Sequence, residues 1–343
     1  MSQIMRQFFL CMCYYEIIMK NMNLLSEKKH LKLILQSKRA NIFYLEYCKV
    51  VQNGGRVEYL TQEKDKQGYY NIPIANTTVV LLGSGTSITQ AAVRMLSAAG
   101  VMVGFCGGGG TPLFAGNEVD FISPQSEYRP TEYVQKWVSF WYKPDKRLEV
   151  AKYFQRVRLE NIKSIWKNNE SYEEAGIYTD DSNFEAIVKG MSNGIENAKS
   201  VNELLQSEAR ITKLIYKFVA KSVNYGDFTR DENRKDIANI FLNHGNYLAY
   251  GLAATALWTL GIPHSFAVMH GKTRRGALVF DVADLFKDAI VLPNAFICAQ
   301  NGDDDRTFRD KLMNIMIDKK YQILNGMIET LKDVCDKFGE EII

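Results

Sequence analysis

Four histidines occur in the 343 residues: His30, His244, His264 and His270. His270 has the surroundings that suit chemistry on an anion. It follows the apolar run Phe266-Ala267-Val268-Met269 and opens onto Gly271-Lys272-Thr273-Arg274-Arg275-Gly276, a glycine-flanked basic loop. Ala277-Leu278-Val279-Phe280 comes next, then Asp281-Val282-Ala283-Asp284-Leu285-Phe286. If a helix starts at Asp281, Asp281 and Asp284 are three apart and share a face. Asp281 also suits an N-cap, because its side chain can accept from a free amide of the first turn. Asp284 stands among apolar neighbours, and a carboxylate there must be paired, hydrated or bound to metal. A third acid could come from Glu203 or Glu208 in the helical run Leu204–Ile211, where Glu208 could equally pair with Lys213 and stay solvated. An imidazole with carboxylates suits a divalent cation, but these residues are spread over more than seventy positions, and spacing alone does not make them converge.

The elements that must position them fall into two regions. From 26 to 115 the chain is strand-rich. Asn41–Val51 is β-prone, Asn53-Gly54 signals a hairpin, and Arg56–Leu60 alternates as a returning strand should. Thr77–Leu82 is a further strand, Ile88–Ala99 a short helix ended by Gly100, and Val101–Cys106 another strand. Gly107–Gly110 is compatible with a loop near a ligand or a plain turn. Pro112, Pro124 and Pro130 then mark an irregular stretch. Beyond it the period is helical, with segments expected at about 131–166, 183–199, 201–224, 231–260 and 307–338. The expected organisation is an atypical extension at 1–21, a β-rich domain at 22–115, a linker at 116–130 and a helical domain at 131–343. The fold class is α+β: a small β-rich N-terminal domain plus a larger all-α C-terminal domain.

Composition narrows the function classes. Apolar residues are 46% and charged residues 24%, so the chain can bury a globular core. Formal net charge is only +3, so nucleic-acid binding must rest on local patches. Tyr133–Lys167 carries nine Lys/Arg against three Asp/Glu, interleaved with Trp137, Phe140, Trp141, Tyr142, Tyr153, Phe154 and Trp166. Such a stretch suits phosphates and splayed bases, or else an amphipathic helix with aromatics in the core and a solvated charged face. Asn168–Arg210 reverses the balance, with nine acids against three bases. Cys11, Cys13, Cys48, Cys106, Cys298 and Cys335 form no CxxC pair and no zinc-finger spacing, which reads as reduced thiols of a cytoplasmic protein. The apolar first 21 residues lack a signal-peptide cleavage pattern and are interrupted by Glu16, so Met22 is read as opening the domain proper.

Val79–Ile88 has the local form of a dinucleotide fingerprint, Gly83-Ser84-Gly85 between a strand and a helix start. Ile88 occupies the third glycine position, and no acid follows Val101–Cys106 to hold a ribose. What precedes it reads as hairpins and not as α/β units. The glycines are therefore read as serving a tight turn.

Taken in order, several segments resemble one family. They are Ser37-Lys38-Arg39-Ala40-Asn41, Asn53–Tyr59, Leu82–Thr89, Gln206-Ser207-Glu208-Ala209-Arg210, Asn243-His244-Gly245-Asn246-Tyr247 with Tyr250-Gly251, Met269-His270-Gly271-Lys272, and Asp281-Val282-Ala283-Asp284-Leu285. Together they are similar to the CRISPR-associated adaptation integrase and endonuclease family, most closely its I-F subtype. The resemblance spans nearly all of 23–300 and excludes the first 21 residues. It implies a helical catalytic domain in which Glu208, His270 and Asp284 bind Mg²⁺ or Mn²⁺, with Asp281 as a secondary acid at the same site. It also implies Tyr247 near the site, where it positions DNA or packs in its helix. Lys272, Arg274 and Arg275 would hold phosphates beside the metal. The implied function is insertion of new spacers into a CRISPR array by phosphodiester transesterification. The implied partners are DNA (spacer precursor and leader–repeat), a second copy in a homodimer, and a small ferredoxin-like adaptation subunit, fused in this subtype to a nuclease-helicase. The alternative is a non-catalytic DNA-binding scaffold whose acids form structural salt bridges.

Overall fold

The computed structural model describes residues 41–63, 66–107, 120–122, 131–231, 236–271, 276–318 and 322–340. The extension at 1–21, the opening at Met22, Ser37–Ala40 and Gly108–Gly110 lie outside them.

Among the described residues eight strands form two four-stranded sheets: β1 (Asn41–Leu45), β2 (Lys49–Asn53), β3 (Arg56–Glu63), β4 (Lys66–Ile72), β5 (Thr77–Leu82), β6 (Ser87–Ile88), β7 (Met102–Phe105) and β8 (Asp120–Ile122). One sheet has the order β4-β3-β2-β6 and the other β1-β5-β7-β8. The β2–β3 hairpin closes on the pair Asn53↔Arg56. Its two central residues, Gly54 and Gly55, have φ of 54° and 80°. That geometry matches the right-handed twist of the strands and needs glycine or a close substitute.

In the second sheet β1, β5 and β7 run parallel. The connection from β5 to β7 carries α1 (Gln90–Ala98), N-capped by Thr89 accepting from the Ala92 amide. The strand, short helix and strand expected over 77–106 thus form one parallel β–α–β crossover. β5 is buried at every position, as a strand covered on both faces must be. The turn after it is shaped by packing. Gly83 N–H donates to the Leu45 carbonyl at 2.8 Å. A side chain at Gly85, where φ is 68°, would strike the Tyr47 ring at 2.5 Å. β8 lies inside 116–130 and pairs antiparallel with β7, so the sheet reaches into the stretch expected as linker.

Nine helices follow among the described residues: α2 (Glu132–Trp141), α3 (Pro144–Lys167), α4 (Glu170–Glu174), α5 (Ser182–Asn197), α6 (Val201–Ser222), α7 (Ile237–Leu260), α8 (Ala277–Asn301), α9 (Asp305–Ile317) and α10 (Ile323–Phe338). The segment expected as one helix over 131–166 is two, because Pro144 starts a new helix at its first position, where a missing N–H costs nothing. The segment expected over 307–338 likewise divides into α9 and α10. α8, with α3 and α7 alongside, is the centre of the helical core. Trp258 of α7 packs against Val79, Leu81 and Met102 and ties that core to the second sheet. Cys48, Cys106, Cys298 and Cys335 are buried free thiols. No described helix is long and apolar enough to cross a membrane.

Candidate metal centre

α8 begins at Ala277, after Gly276 in the left-handed region at φ 71°, so Asp281 is not the helix cap that its spacing allowed. It lies one turn inside, and Asp281, Asp284 and Asp288 recur at i, i+3 and i+7 along one face. All three are buried. Residues 262–271, between α7 and α8, form neither strand nor helix. Its amides therefore lack ladder partners, and Asp281 supplies them. Its Oδ2 accepts from Val268 N–H at 2.7 Å and Met269 N–H at 3.0 Å, and its Oδ1 from His270 N–H at 3.0 Å.

The same Oδ1 lies 2.7 Å from His270 Nδ1. A carboxylate can only accept there, so Nδ1 carries the proton and Nε2 is the ring's free end. Nε2 faces Asp284 Oδ2 at 4.0 Å. Burial disfavours the charged ring, but the Asp281 hydrogen bond and the charges of Asp284 and Asp281 outweigh it and raise the His270 pKa above the usual imidazole value. Both oxygens of Asp281 are engaged by these four N–H groups, so its observed work is to orient His270.

Of the two acids left open on α6, the structure brings Glu208 to this neighbourhood and not Glu203. Glu203 accepts from the Lys199 amide at 2.9 Å while its own amide donates to Ser200 Oγ at 3.2 Å, a reciprocal helix cap. Glu208 Oε1 accepts from Arg158 Nη1 at 2.7 Å and from Thr212 Oγ1 at 2.8 Å. Arg158 is 1% exposed. It also donates through Nε to Asp288 Oδ2 at 2.8 Å, with Nη2 on the same oxygen. Lys287, at i+3 from Asp284, donates to Asp284 Oδ1.

These charges set one another. Burial raises the Glu208 carboxyl, but Arg158 overrides it and holds the group below the usual range, while Asp284 pushes the other way. Asp284 is likewise held low against burial by Lys287, Arg158 and His270. Two carboxylates that repel, Asp284 buried and Glu208 half-buried, are held ionised by the buried Arg158 and the half-buried Lys287.

The donor set fits a divalent cation. Glu208 Oε2 makes no hydrogen bond to the described residues, Asp284 Oδ2 faces His270, and His270 Nε2 is free while Asp281 fixes its other nitrogen, the usual arrangement behind a ligating histidine. Among the described residues no three His, Cys, Asp or Glu side chains are closed on one point in ligating geometry. His270 and Asp284 approach directly. Glu208 is coupled to Asp284 through charge, directly and by way of Arg158, which acts on both.

Tyr247 stands further off. It meets Tyr250 edge-on at 6.0 Å, Tyr250 meets Phe280 at 4.7 Å, and Phe280 lies 6.4 Å from His270. Tyr250 also acts electrostatically on Lys287. Lys272, Arg274 and Arg275 lie outside the described residues. Arg158, Tyr250, Lys287 and Asp288 were not foreseen. Lys287 and Asp288 were open to notice, one turn on from Asp284. Arg158 had been counted only as one charge of the basic stretch. Much of that stretch is taken up by contacts with the rest of the protein. Trp137, Phe140, Phe154 and Trp166 are in the core. Lys136 pairs with Asp336, Lys143 and Lys146 with Glu340, and Arg156 with Glu196. His244, also in a family-like segment, pairs with Asp305.

The family model described as CRISPR associated protein Cas1 matches residues 49–322. The CRISPR-associated endonuclease Cas1 of Pseudomonas aeruginosa (strain UCBPP-PA14) is 54% identical over 313 residues, covering 90% of this chain and 96% of that protein. Among solved structures, a TtCas1–DNA complex superposes with a TM-score of 0.64 at 21% identity, covering 88% of this chain and 94% of that one. A casposase bound to integration product superposes with a TM-score of 0.63 at 15% identity, covering 88% and 92%. At these identities the two solved structures establish the shared fold.

Proposed function

The chain belongs to the CRISPR-associated Cas1 family, and from that premise we propose that Glu208, His270 and Asp284 form the metal-holding centre of its DNA endonuclease and integrase activity. The chain is a CRISPR-associated endonuclease whose biological reaction is insertion of new spacers into a CRISPR array. The observation that carries the site is His270: Nδ1 is anchored on Asp281, and Nε2 is turned to Asp284 at 4.0 Å.

Glu208 Oε2, Asp284 Oδ2 and His270 Nε2 are the atoms that would hold Mg²⁺ or Mn²⁺, hard ions that take oxygen and tolerate imidazole. Such an ion supplies Lewis acidity at a phosphodiester and offsets the charge that grows on it. The protein's own groups do the rest. Asp281 keeps the imidazole in one tautomer and one orientation. Arg158 and Lys287 keep the carboxylates ionised and apart. Lys272, Arg274 and Arg275, which follow His270 closely in the sequence, would grip the phosphates flanking the scissile bond. A spacer 3′-hydroxyl attacking in line gives strand transfer, and water in its place gives cutting. Tyr247 or Tyr250 lines the aromatic side of the site. The assembly we propose is a homodimer joined by a small ferredoxin-like adaptation subunit, acting on spacer precursor and leader–repeat DNA.

His270→Ala should abolish metal-dependent cutting and strand transfer while the protein still folds, as checked by cleavage of a labelled duplex and by circular dichroism. Full cutting by that variant with Mn²⁺ counts against the site.

One observation favours a second reading. The Arg158–Glu208, Arg158–Asp288 and Lys287–Asp284 pairs are what a non-catalytic DNA-binding scaffold would also use. Calorimetric titration of Mn²⁺ separates the two: binding lost in Glu208→Ala supports the enzyme centre, and no binding to the parent chain supports the scaffold.

A further inference from the structure

The segment that delivers His270 is held from two sides. Trp137 and Trp141 stand at i and i+4 on α2, so their indoles project from one face. Trp137 Nε1 donates to the Phe266 carbonyl at 3.1 Å, and Trp141 Nε1 donates to the Ala267 carbonyl at 2.8 Å. The next three amides, of Val268, Met269 and His270, are those that Asp281 holds. Two successive carbonyls are thus fixed by α2 and the three following amides by α8. Gln155 of α3 adds a contact from Nε2 to the Met269 sulfur at 3.3 Å. The Trp141 ring meets Phe266 edge-on at 5.0 Å.

A buried indole needs one acceptor, and any nearby carbonyl would satisfy it. Here both indoles choose adjacent carbonyls of one irregular segment, immediately before the catalytic histidine. That segment has no ladder of its own, so its register depends on these side chains. We infer that Trp137 and Trp141 are positioning residues for His270: they fix the backbone from which the imidazole reaches Asp281 and Asp284. The inference rests on the reading of His270 given above.

Trp141→Phe keeps a ring against Phe266 and removes the donor. It should speed hydrogen exchange of the Val268–His270 amides about tenfold or more. It should also lower kcat for metal-dependent DNA cutting by about tenfold or more, with KM for DNA within about twofold, because a displacement of about 1 Å can cost on the order of 10²-fold in rate. A merely structural role would instead lower the thermal midpoint and speed exchange across the whole helical core. Should the Phe variant fail to fold, replacing the Trp141 indole by its benzothiophene isostere keeps the shape, removes the N–H and gives the same readouts. Unchanged exchange and unchanged kcat in either folded variant would overturn the inference. His270→Ala, run in parallel, keeps the two readings apart. If it cuts like the parent chain, the reading of His270 fails, while the exchange result still decides whether the indoles hold the segment.

Discussion

Asp281 illustrates how much one side chain can settle. Buried, with four N–H groups on its two oxygens, it turns an irregular segment into a rigid platform and chooses the tautomer of His270. An amide in its place would set an NH₂ against backbone donors. Asp281→Asn should therefore cost about 1–3 kcal/mol of stability, the penalty for buried donors left unpaired. It should also abolish cutting, because the ring loses its anchor; urea unfolding and a cleavage assay check both. At this scale the sequence was partly legible. His270, Asp281 and Asp284 lie within fifteen residues, and the chemistry of the run around them could be argued directly. That Glu208, and not Glu203, joins them came only with the family resemblance, since nothing local separates two acids on one helix. The use of Arg158 was illegible, because its partners Glu208 and Asp288 lie 50 and 130 residues away and a buried arginine looks like any other charge in a basic stretch.

Elements fix those residues in register. α3 lays three donors along α8: Arg158 on Asp288, Asn161 Nδ2 on the Leu285 carbonyl at 2.8 Å, and Trp166 Nε1 on the Ala289 carbonyl at 3.1 Å. The last answers a defect. Pro293 sits inside α8 and has no N–H for the carbonyl four residues back, which is that of Ala289. Trp166 supplies the missing donor from another helix. Trp166→Phe should cost about 1–3 kcal/mol through the orphaned carbonyl, read as a lower urea midpoint, with cutting retained by the folded fraction. α8 is also the helix that hydrophobic period missed. The expected segments passed over 277–301, with only a conditional helix from Asp281, because 21 of its 25 residues are buried and a helix covered all round has no polar stripe to read. The β2–β3 hairpin was legible for the opposite reason: its turn residues demand one backbone geometry. The break before Pro144 was legible too, and was passed over because the apolar period continues across it.

For the whole molecule, the balance of charge decides where DNA can bind. Net charge is small, and the basic run that looked most suited to DNA spends several cations on Asp336 of α10, Glu340 just beyond it and Glu196 of α5, with Trp137 and Trp166 in the core. Phosphate contacts must then come from elsewhere, and residues 272–275, which follow His270 closely in the sequence, include three cations. Lys272→Ala should weaken DNA binding about equally for all sequences and flatten the salt dependence by about one unit of slope or less, measured by fluorescence anisotropy from low to moderate salt. The passage from strands to helices was readable from the change in period near residue 131, whereas the pairing of β8 with β7 was hidden among prolines. The site itself is a property of the whole fold, drawn from α6, α8 and the segment between α7 and α8, and composition could not have announced it. Anomalous diffraction from crystals grown with Mn²⁺ tests it most directly. The account expects a single manganese peak within coordinating reach of His270 Nε2, Asp284 and Glu208, with Arg158 and Lys287 beside it. A peak elsewhere, or none at saturating Mn²⁺ in a chain that still cuts DNA, would contradict it.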